Sequence, residues 1–302
     1  MPFLKRFLVP LLALSILLPS QAKESLLEKP RTLLILGDSI TQAGNYVTFF
    51  DAWLVRQFPD RRYKVINAGV ASETVSGLSE EGHAGGRFPR PDLHERLGRV
   101  LAKAKPDLIL ACYGMNCGIY QPFNEARFNA YQEGQKKLHA EAKKHQSEII
   151  HITPPYFDNH GKSGFNYNEV LTKYSQWLVA QRSHGWLVCD LHSEMQQTIE
   201  SKKKAAPKFT VQHDRVHPNG QGHWLMTQSL IRYFGDPESA KLHSPNQLLD
   251  KQQLKAVQKR MTLWRNAIHF ETKPKRPGVP MKNTLDQAAA EVKQLEPLIY
   301  SK

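Results

Sequence analysis

Short apolar runs rich in β-branched residues alternate along this chain with longer stretches in which apolar positions recur every three or four residues. The first pattern marks strands buried on both faces and the second marks amphipathic helices, so their alternation predicts parallel strands joined by crossover helices. Strands are expected at Thr32–Leu36, Tyr63–Asn67, Leu108–Cys112, Glu148–Ile152 and Trp186–Cys189. Helices are expected around Tyr46–Gln57, Asp92–Ala104, Asn124–His145, Glu169–His184 and Asn219–Phe234, with Pro106 and Gly185 as stops. The expected fold is α/β, a doubly wound sheet of five parallel strands.

The pattern changes at both ends. Lys5 and Arg6 precede an apolar run from Phe7 to Pro19, and Ser20-Gln21-Ala22 offers the small residues a signal peptidase reads, so residues 1–22 are expected to be a signal peptide. That run is shorter than the roughly 20 apolar residues needed to cross a bilayer, and no later segment is apolar enough to span. The expected mature protein begins near Lys23, is secreted or periplasmic, and has no stable membrane insertion. Residues 23–236 read as one main domain. After Asp236 come Pro237 and Pro245, a helical pattern over Gln247–Ile268, a Lys/Pro-rich break at Lys273–Pro280 and a last helical pattern over Leu285–Leu298. Residues 237–302 are thus expected to form a helical C-terminal extension, either a cap on the sheet domain or a docking or dimerisation element.

Composition narrows the partners. The net charge is +13, but the basic residues are dispersed, with small knots at Lys202-Lys203-Lys204 and Lys273-Pro274-Lys275-Arg276 and no recognisable nucleic-acid module. No nucleic-acid partner is expected; the basic residues read mainly as solvated faces, with attraction to an anionic polysaccharide or cell surface as the alternative. Three cysteines, Cys112, Cys117 and Cys189, are too few for a disulfide scaffold and form no pair of CxxC motifs. A Cys112–Cys117 bridge and buried free thiols both stay open.

In an open parallel sheet, ligands bind beyond the carboxyl ends of the strands. The first strand runs into Gly37-Asp38-Ser39-Ile40-Thr41, which places a serine on the turn into a helix, where backbone N–H groups can stabilise an oxyanion. A serine hydroxyl needs an imidazole to take its proton, and the imidazole needs a carboxylate to fix its tautomer. Asp214-Arg215-Val216-His217-Pro218 supplies both from one loop. Asn67-Ala68-Gly69 and Tyr113-Gly114-Met115-Asn116 follow the second and third strands, so the Gly69 N–H and the Asn116 amide could join the Ser39 N–H as oxyanion donors. No GxSxG is present, which argues against an α/β-hydrolase nucleophile elbow. His213, Asp214, His217 and His223 could be read as a metal cluster, but Pro218 disfavours helical geometry at His217 and the serine machinery accounts for Asp214 and His217 without a metal.

Together, Ser39 in GDSI, Gly69 in NAG, Asn116 in GMN and His217 in DRVH resemble the four blocks of the SGNH (GDSL-type) hydrolases, over roughly Arg31–Phe234. The resemblance implies a flavodoxin-like three-layer α/β/α sandwich, serine esterase or acylhydrolase activity, no required cofactor, and an oxyanion hole of Ser39, Gly69 and Asn116. The family usually has Asp after the third-block asparagine, where this chain has Cys117, which leaves the shape of the Gly118–Phe123 loop open. The glycine-rich segment Gly77–Arg96 offers Arg87 and His83 as substrate contacts. The expected function is a secreted serine esterase that hydrolyses short acyl, chiefly O-acetyl, esters on carbohydrate, whether a small molecule or a polysaccharide, through a Ser39–His217–Asp214 triad and an acyl-enzyme. A lysophospholipase or thioesterase acting on lipid esters and a non-catalytic glycan-binding protein on the same fold are the alternatives.

Overall fold

The computed structural model describes residues 25–28, 31–160 and 164–301. The expected signal peptide lies outside them. Five strands, β1 (Thr32–Gly37), β2 (Lys64–Asn67), β3 (Leu108–Cys112), β4 (Glu148–Ile152) and β5 (Leu187–Cys189), form one parallel sheet in the order β2-β1-β3-β4-β5. The register runs Thr32 to Lys64, Leu33 to Leu108, Leu108 to Glu148 and Ile150 to Leu187. The central strand β3 is buried throughout, as continuous apolar character requires of a strand covered on both faces. The order reverses between β1 and β3, and the loops after these two strands carry Ser39 and Asn116.

Around the sheet lie α1 (Ser39–Ala43), α2 (Asn45–Gln57), α3 (Leu93–Ala104), α4 (Glu125–Lys144), α5 (Tyr167–Ala180), α6 (Leu191–Ala205) and α7 (Gly220–Tyr233). Helix α2 packs on α7 and α3 packs on α4. The caps are local and readable. Asp92, Asn124, Asn166, Asp190 and Asn219 each accept a hydrogen bond from the first turn of the helix that follows, satisfying N–H groups that have no partner within it. The stretch expected as one helix to His184 ends at Ala180 and tightens into a 3-10 turn closed by Gly185, whose φ is 80°.

The C-terminal portion is a pair of helices, α8 (Lys251–Thr272) and α9 (Leu285–Ile299), packed on each other. Helix α8 also lies against β2, α2 and α3, so it closes the outer edge of the sheet. Three polar contacts fix it there. Arg260 grips Asp51 of α2, Arg265 donates to the Gln42 carbonyl at 2.8 Å, and Arg99 of α3 donates to the Thr272 carbonyl at 2.9 Å.

Candidate active site

The turn from β1 into α1 is set by two residues. A Cβ on Gly37 would lie 2.1 Å from Thr41 Oγ1 and 2.9 Å from the Cys112 carbonyl oxygen, so only glycine lets the strand bend this tightly. Asp38 then caps α1, its Oδ1 accepting the Ile40 N–H at 2.9 Å. Burial pushes the Asp38 carboxyl up to about 6, against the lowering effect of that Ile40 bond and of His217. Ser39 is the first residue of α1, and its own N–H has no acceptor among the described residues.

The partner of Ser39 comes from the loop before α7. Ser39 Oγ lies 2.8 Å from His217 Nε2, and His217 Nδ1 lies 2.6 Å from Asp214 Oδ2. The other Asp214 oxygen accepts the backbone N–H of Val216 at 2.9 Å and of His217 at 2.7 Å, so a single carboxylate holds both the ring and the main chain of His217. Burial pushes the Asp214 carboxyl up, but the hydrogen bonds from His217 and Val216 outweigh it and leave the group below its usual value. The loop itself is braced from outside: Gln212 Nε2 donates to the Val216 carbonyl at 3.0 Å, and the Asn219 N–H to that of Val211 at 2.7 Å. The side chains of His217 and Asp214 remain 49% and 56% exposed, so a bulky substrate can approach this side.

Asn116 sits in the loop after β3, and its amide is almost fully engaged. Its Oδ1 accepts from Arg90 Nη1 at 3.0 Å and from the Tyr120 hydroxyl at 3.0 Å, while Nδ2 donates one hydrogen to the Glu73 carbonyl at 3.2 Å. One N–H of the amide is left over, and the amide cannot be turned round without facing two donors with its NH2. Two consecutive residues with positive φ, Ile119 at 47° and Tyr120 at 55°, bend the loop so that Tyr120 reaches back to Asn116. Left-handed geometry at a β-branched residue is costly, and Tyr167 helps hold the bend by donating to the Met115 carbonyl and accepting the Gly118 N–H. Cys117 points inward, and burial pushes its thiol up to about 11. Cys112 and Cys117 form no disulfide.

Three of the expected contact residues have local partners. The Gly69 N–H donates to Asn67 Oδ1 at 2.9 Å, and a Cβ on Gly69 would come within 2.5 Å of the Gln42 nitrogen. Gly69 is therefore a close-packing glycine whose donor is already used. Arg87 is exposed and donates to the Ala84 carbonyl at 2.8 Å, while His83 pairs with Glu80. The cation that the glycine-rich segment delivers is Arg90, buried and held at both ends by Glu80 and Asn116.

A further position was not legible in the sequence. Ser72 occupies the third place of the turn Val70–Glu73, closed by the Glu73 N–H to the Val70 carbonyl at 3.2 Å, and has φ 67°. That place usually takes glycine. The turn is anchored on one side by the Val70 N–H to the Gly37 carbonyl and on the other by Asn116 to the Glu73 carbonyl. Ser72 thus lies between the Ser39 turn and Asn116, and its N–H has no acceptor among the described residues. Beneath the turn, Arg96 clasps Glu73 at 2.6 and 2.7 Å and Tyr113 donates to the same carboxylate at 2.6 Å.

A nucleophile–imidazole–carboxylate chain at the strand ends can carry out acyl transfer, and the family comparison agrees. The model of the GDSL-like lipase/acylhydrolase family matches residues 35–225. The chain belongs to that family. It is a carboxylic ester hydrolase of the SGNH type. Among related proteins, an acetylxylan esterase from Geobacillus stearothermophilus is 24% identical over 226 residues, covering 67% of this chain and 93% of the relative. The crystal structure of a catalytic mutant of an acetylxylan esterase from that organism superposes with a TM-score of 0.55 at 22% identity, covering 68% of this chain and 95% of the other. An α/β hydrolase from the metagenome of Lake Arreo, Spain, gives 0.56 at 23% identity, covering 70% and 99%. At these identities the structural likeness shows a shared fold. Helices α8 and α9 lie beyond the residues that the family model matches.

Proposed function

We propose that this family member is an exported serine esterase that removes short acyl groups, chiefly acetyl, from carbohydrate, with Ser39 as nucleophile, His217 as base and Asp214 as the group that orients His217. The observation that carries the reading is the unbroken hydrogen-bonded chain from Ser39 Oγ through His217 to Asp214. Export is supported by Lys5, Arg6 and the apolar run that follows them. No helix among the described residues is long and apolar enough to cross a membrane.

His217 Nε2 takes the Ser39 proton as Oγ attacks the ester carbonyl, giving a tetrahedral intermediate. Its oxyanion is held by the Ser39 N–H, the remaining Asn116 N–H and, in place of Gly69, the Ser72 N–H. His217 then gives its proton to the departing alcohol oxygen, leaving an acyl-Ser39. Water, deprotonated by His217, repeats the attack and releases the acid. Arg90 and Tyr120 polarise the Asn116 amide and keep its N–H turned to the reacting carbonyl.

An acetylxylan esterase among the relatives, the exposure of His217 and Asp214, and the polar loops around them support a polymeric sugar as the alcohol. The test is hydrolysis of p-nitrophenyl esters from acetyl to palmitoyl, followed by acetate release from acetylated xylan. Activity confined to short chains, with acetate released, is the expected result. A preference for long chains would replace this reading with a lipid acylhydrolase.

A further inference from the structure

The end of the sheet opposite Ser39 carries a second concave feature. A cavity of about 400 Å3 opens there, lined among others by Arg62, Lys64, Trp264, Val292, Lys293 and Tyr300. Its walls are the start of β2 and the facing sides of α8 and α9. Lys64 pairs with Thr32 at the start of β1, whereas Ser39 follows the end of that strand. At about 3.3 Å per residue, the intervening chain separates the cavity from Ser39 by roughly 20 Å.

Its charges are unbalanced. Arg260, also in the lining, is committed to Asp51, but Arg62, Lys64 and Lys293 have no carboxylate within ion-pair distance among the described residues. The one carboxylate in the lining belongs to Glu296. Two of the cations rest on rings. The Lys64 ammonium lies 4.3 Å from the centre of the Trp264 ring, and the Arg62 guanidinium 3.6 Å from that of Tyr300. Burial pushes Lys64 below its usual value, and Asp286 offsets this only in part. A half-buried lysine and an exposed arginine, each resting on an aromatic face, with a further exposed lysine and few counter-charges beside them, form a receptor for an anion.

The floor narrows the class of anion. Ala289 and the half-buried ring of Tyr300 supply the apolar surface that stays accessible beside the cations, over the buried Trp264 and Val292. A sugar ring presents a C–H face beside any carboxylate it bears, which suits such a floor; a bare phosphate leaves it uncovered. We propose that this cavity binds the carboxylate of a uronic-acid residue in a polysaccharide, tethering the enzyme to its polymer away from Ser39. That the carboxylate is carried on sugar rests on the carbohydrate-ester reading above. A tether of this kind raises the effective concentration of esters near Ser39 without making any contact there.

The experiment is calorimetric titration of the full chain with an oligogalacturonate, a neutral xylo-oligosaccharide and inorganic phosphate. Three variants accompany it: Lys64→Met with Lys293→Met, the exposed single change Lys293→Glu, and a charge-matched control, Lys202→Met with Lys204→Met, away from the cavity. The expected result is oligogalacturonate binding that weakens about tenfold in both cavity variants and less than about twofold in the control. The neutral oligosaccharide should not bind, and p-nitrophenyl acetate hydrolysis should be unchanged in all three variants. No oligogalacturonate binding by the wild type, or equal weakening in the control, would overturn the site. Displacement of the oligogalacturonate by equimolar phosphate would overturn the uronate assignment. Failure of the esterase reading would show instead as ester hydrolysis indifferent to Ser39, with this binding left intact.

Discussion

Arg260 donates to both carboxylate oxygens of Asp51, from Nη2 at 2.7 Å and Nε at 3.1 Å, joining α8 to α2 in the interior. Removing one member of such a pair leaves a buried charge with no partner, which typically costs about 3–5 kcal/mol. Arg260→Ala should therefore lower the melting temperature strongly. Asp51→Leu combined with Arg260→Met should recover most of the loss, because neither charge is then buried. Thermal unfolding of the three proteins checks this; a double variant no better than Arg260→Ala would mean that the pair is not what holds α8 against the sheet.

The amide of Asn116 offers a second test. Asn116→Ala should lower kcat by roughly a hundredfold to a thousandfold, as the loss of one oxyanion donor does. Arg90→Met should lower kcat by about tenfold with little change in KM, since it acts through the amide it holds. In the double variant Arg90→Met should cost nothing further, because the group it positions is gone. Additive losses would assign Arg90 an independent role.

Gly69 and Ser72 should respond in opposite ways. Gly69→Ala drives a methyl into the backbone at Gln42 and should destabilise the fold while leaving turnover per folded molecule unchanged. Ser72→Gly relieves a left-handed backbone, retains the N–H and should keep kcat while raising stability by about 1 kcal/mol. Melting curves beside active-site-titrated kcat values separate the two. A large loss of kcat in Ser72→Gly would show that the serine side chain, and not its N–H, is what the site uses.

Asp38 gives a pH signature. Its folded value of about 6 stands above the ordinary 3.8, so between these pH values the native state binds the extra proton and stability falls as pH rises. Above about 6 the loss is complete, on the order of 2–3 kcal/mol. Asp38→Asn retains an oxygen to cap Ile40 but carries no charge. Its stability advantage over wild type should grow from pH 4 to pH 6 and then level off. A difference that does not vary with pH would count against a raised Asp38.

The strands were the most legible part of the chain. Leu108–Cys112 and Glu148–Ile152 fall where the apolar runs place them, because both are bounded by polar or proline residues and are buried on both sides. Helix α6 was missed. Its buried stripe is only Leu191, His192, Met195 and Ile199, and its lysine-rich end masks the period. The candidate site was legible where the proposed chemistry calls for a spacing. Asp214 and His217 share one loop, and the structure brings both to Ser39. It was unreadable where the chain substitutes an unusual residue or bridges a long distance. Glycine is the expected occupant of a left-handed turn position, so Ser72 gave no signal in the sequence. Nothing in the spacing of Arg87 and Arg90 tells which of them folds inward; a contact 26 residues away at Asn116 decides it.

The central claim is that Ser39 is the nucleophile, and it is tested most directly by kcat/KM for p-nitrophenyl acetate in wild type and Ser39→Ala, with circular dichroism to show that both are folded. The account predicts a fall of at least about ten-thousandfold in the variant, since His217, Asp214 and the oxyanion donors have nothing to activate without the hydroxyl. A folded Ser39→Ala protein retaining more than about a tenth of wild-type activity would contradict it.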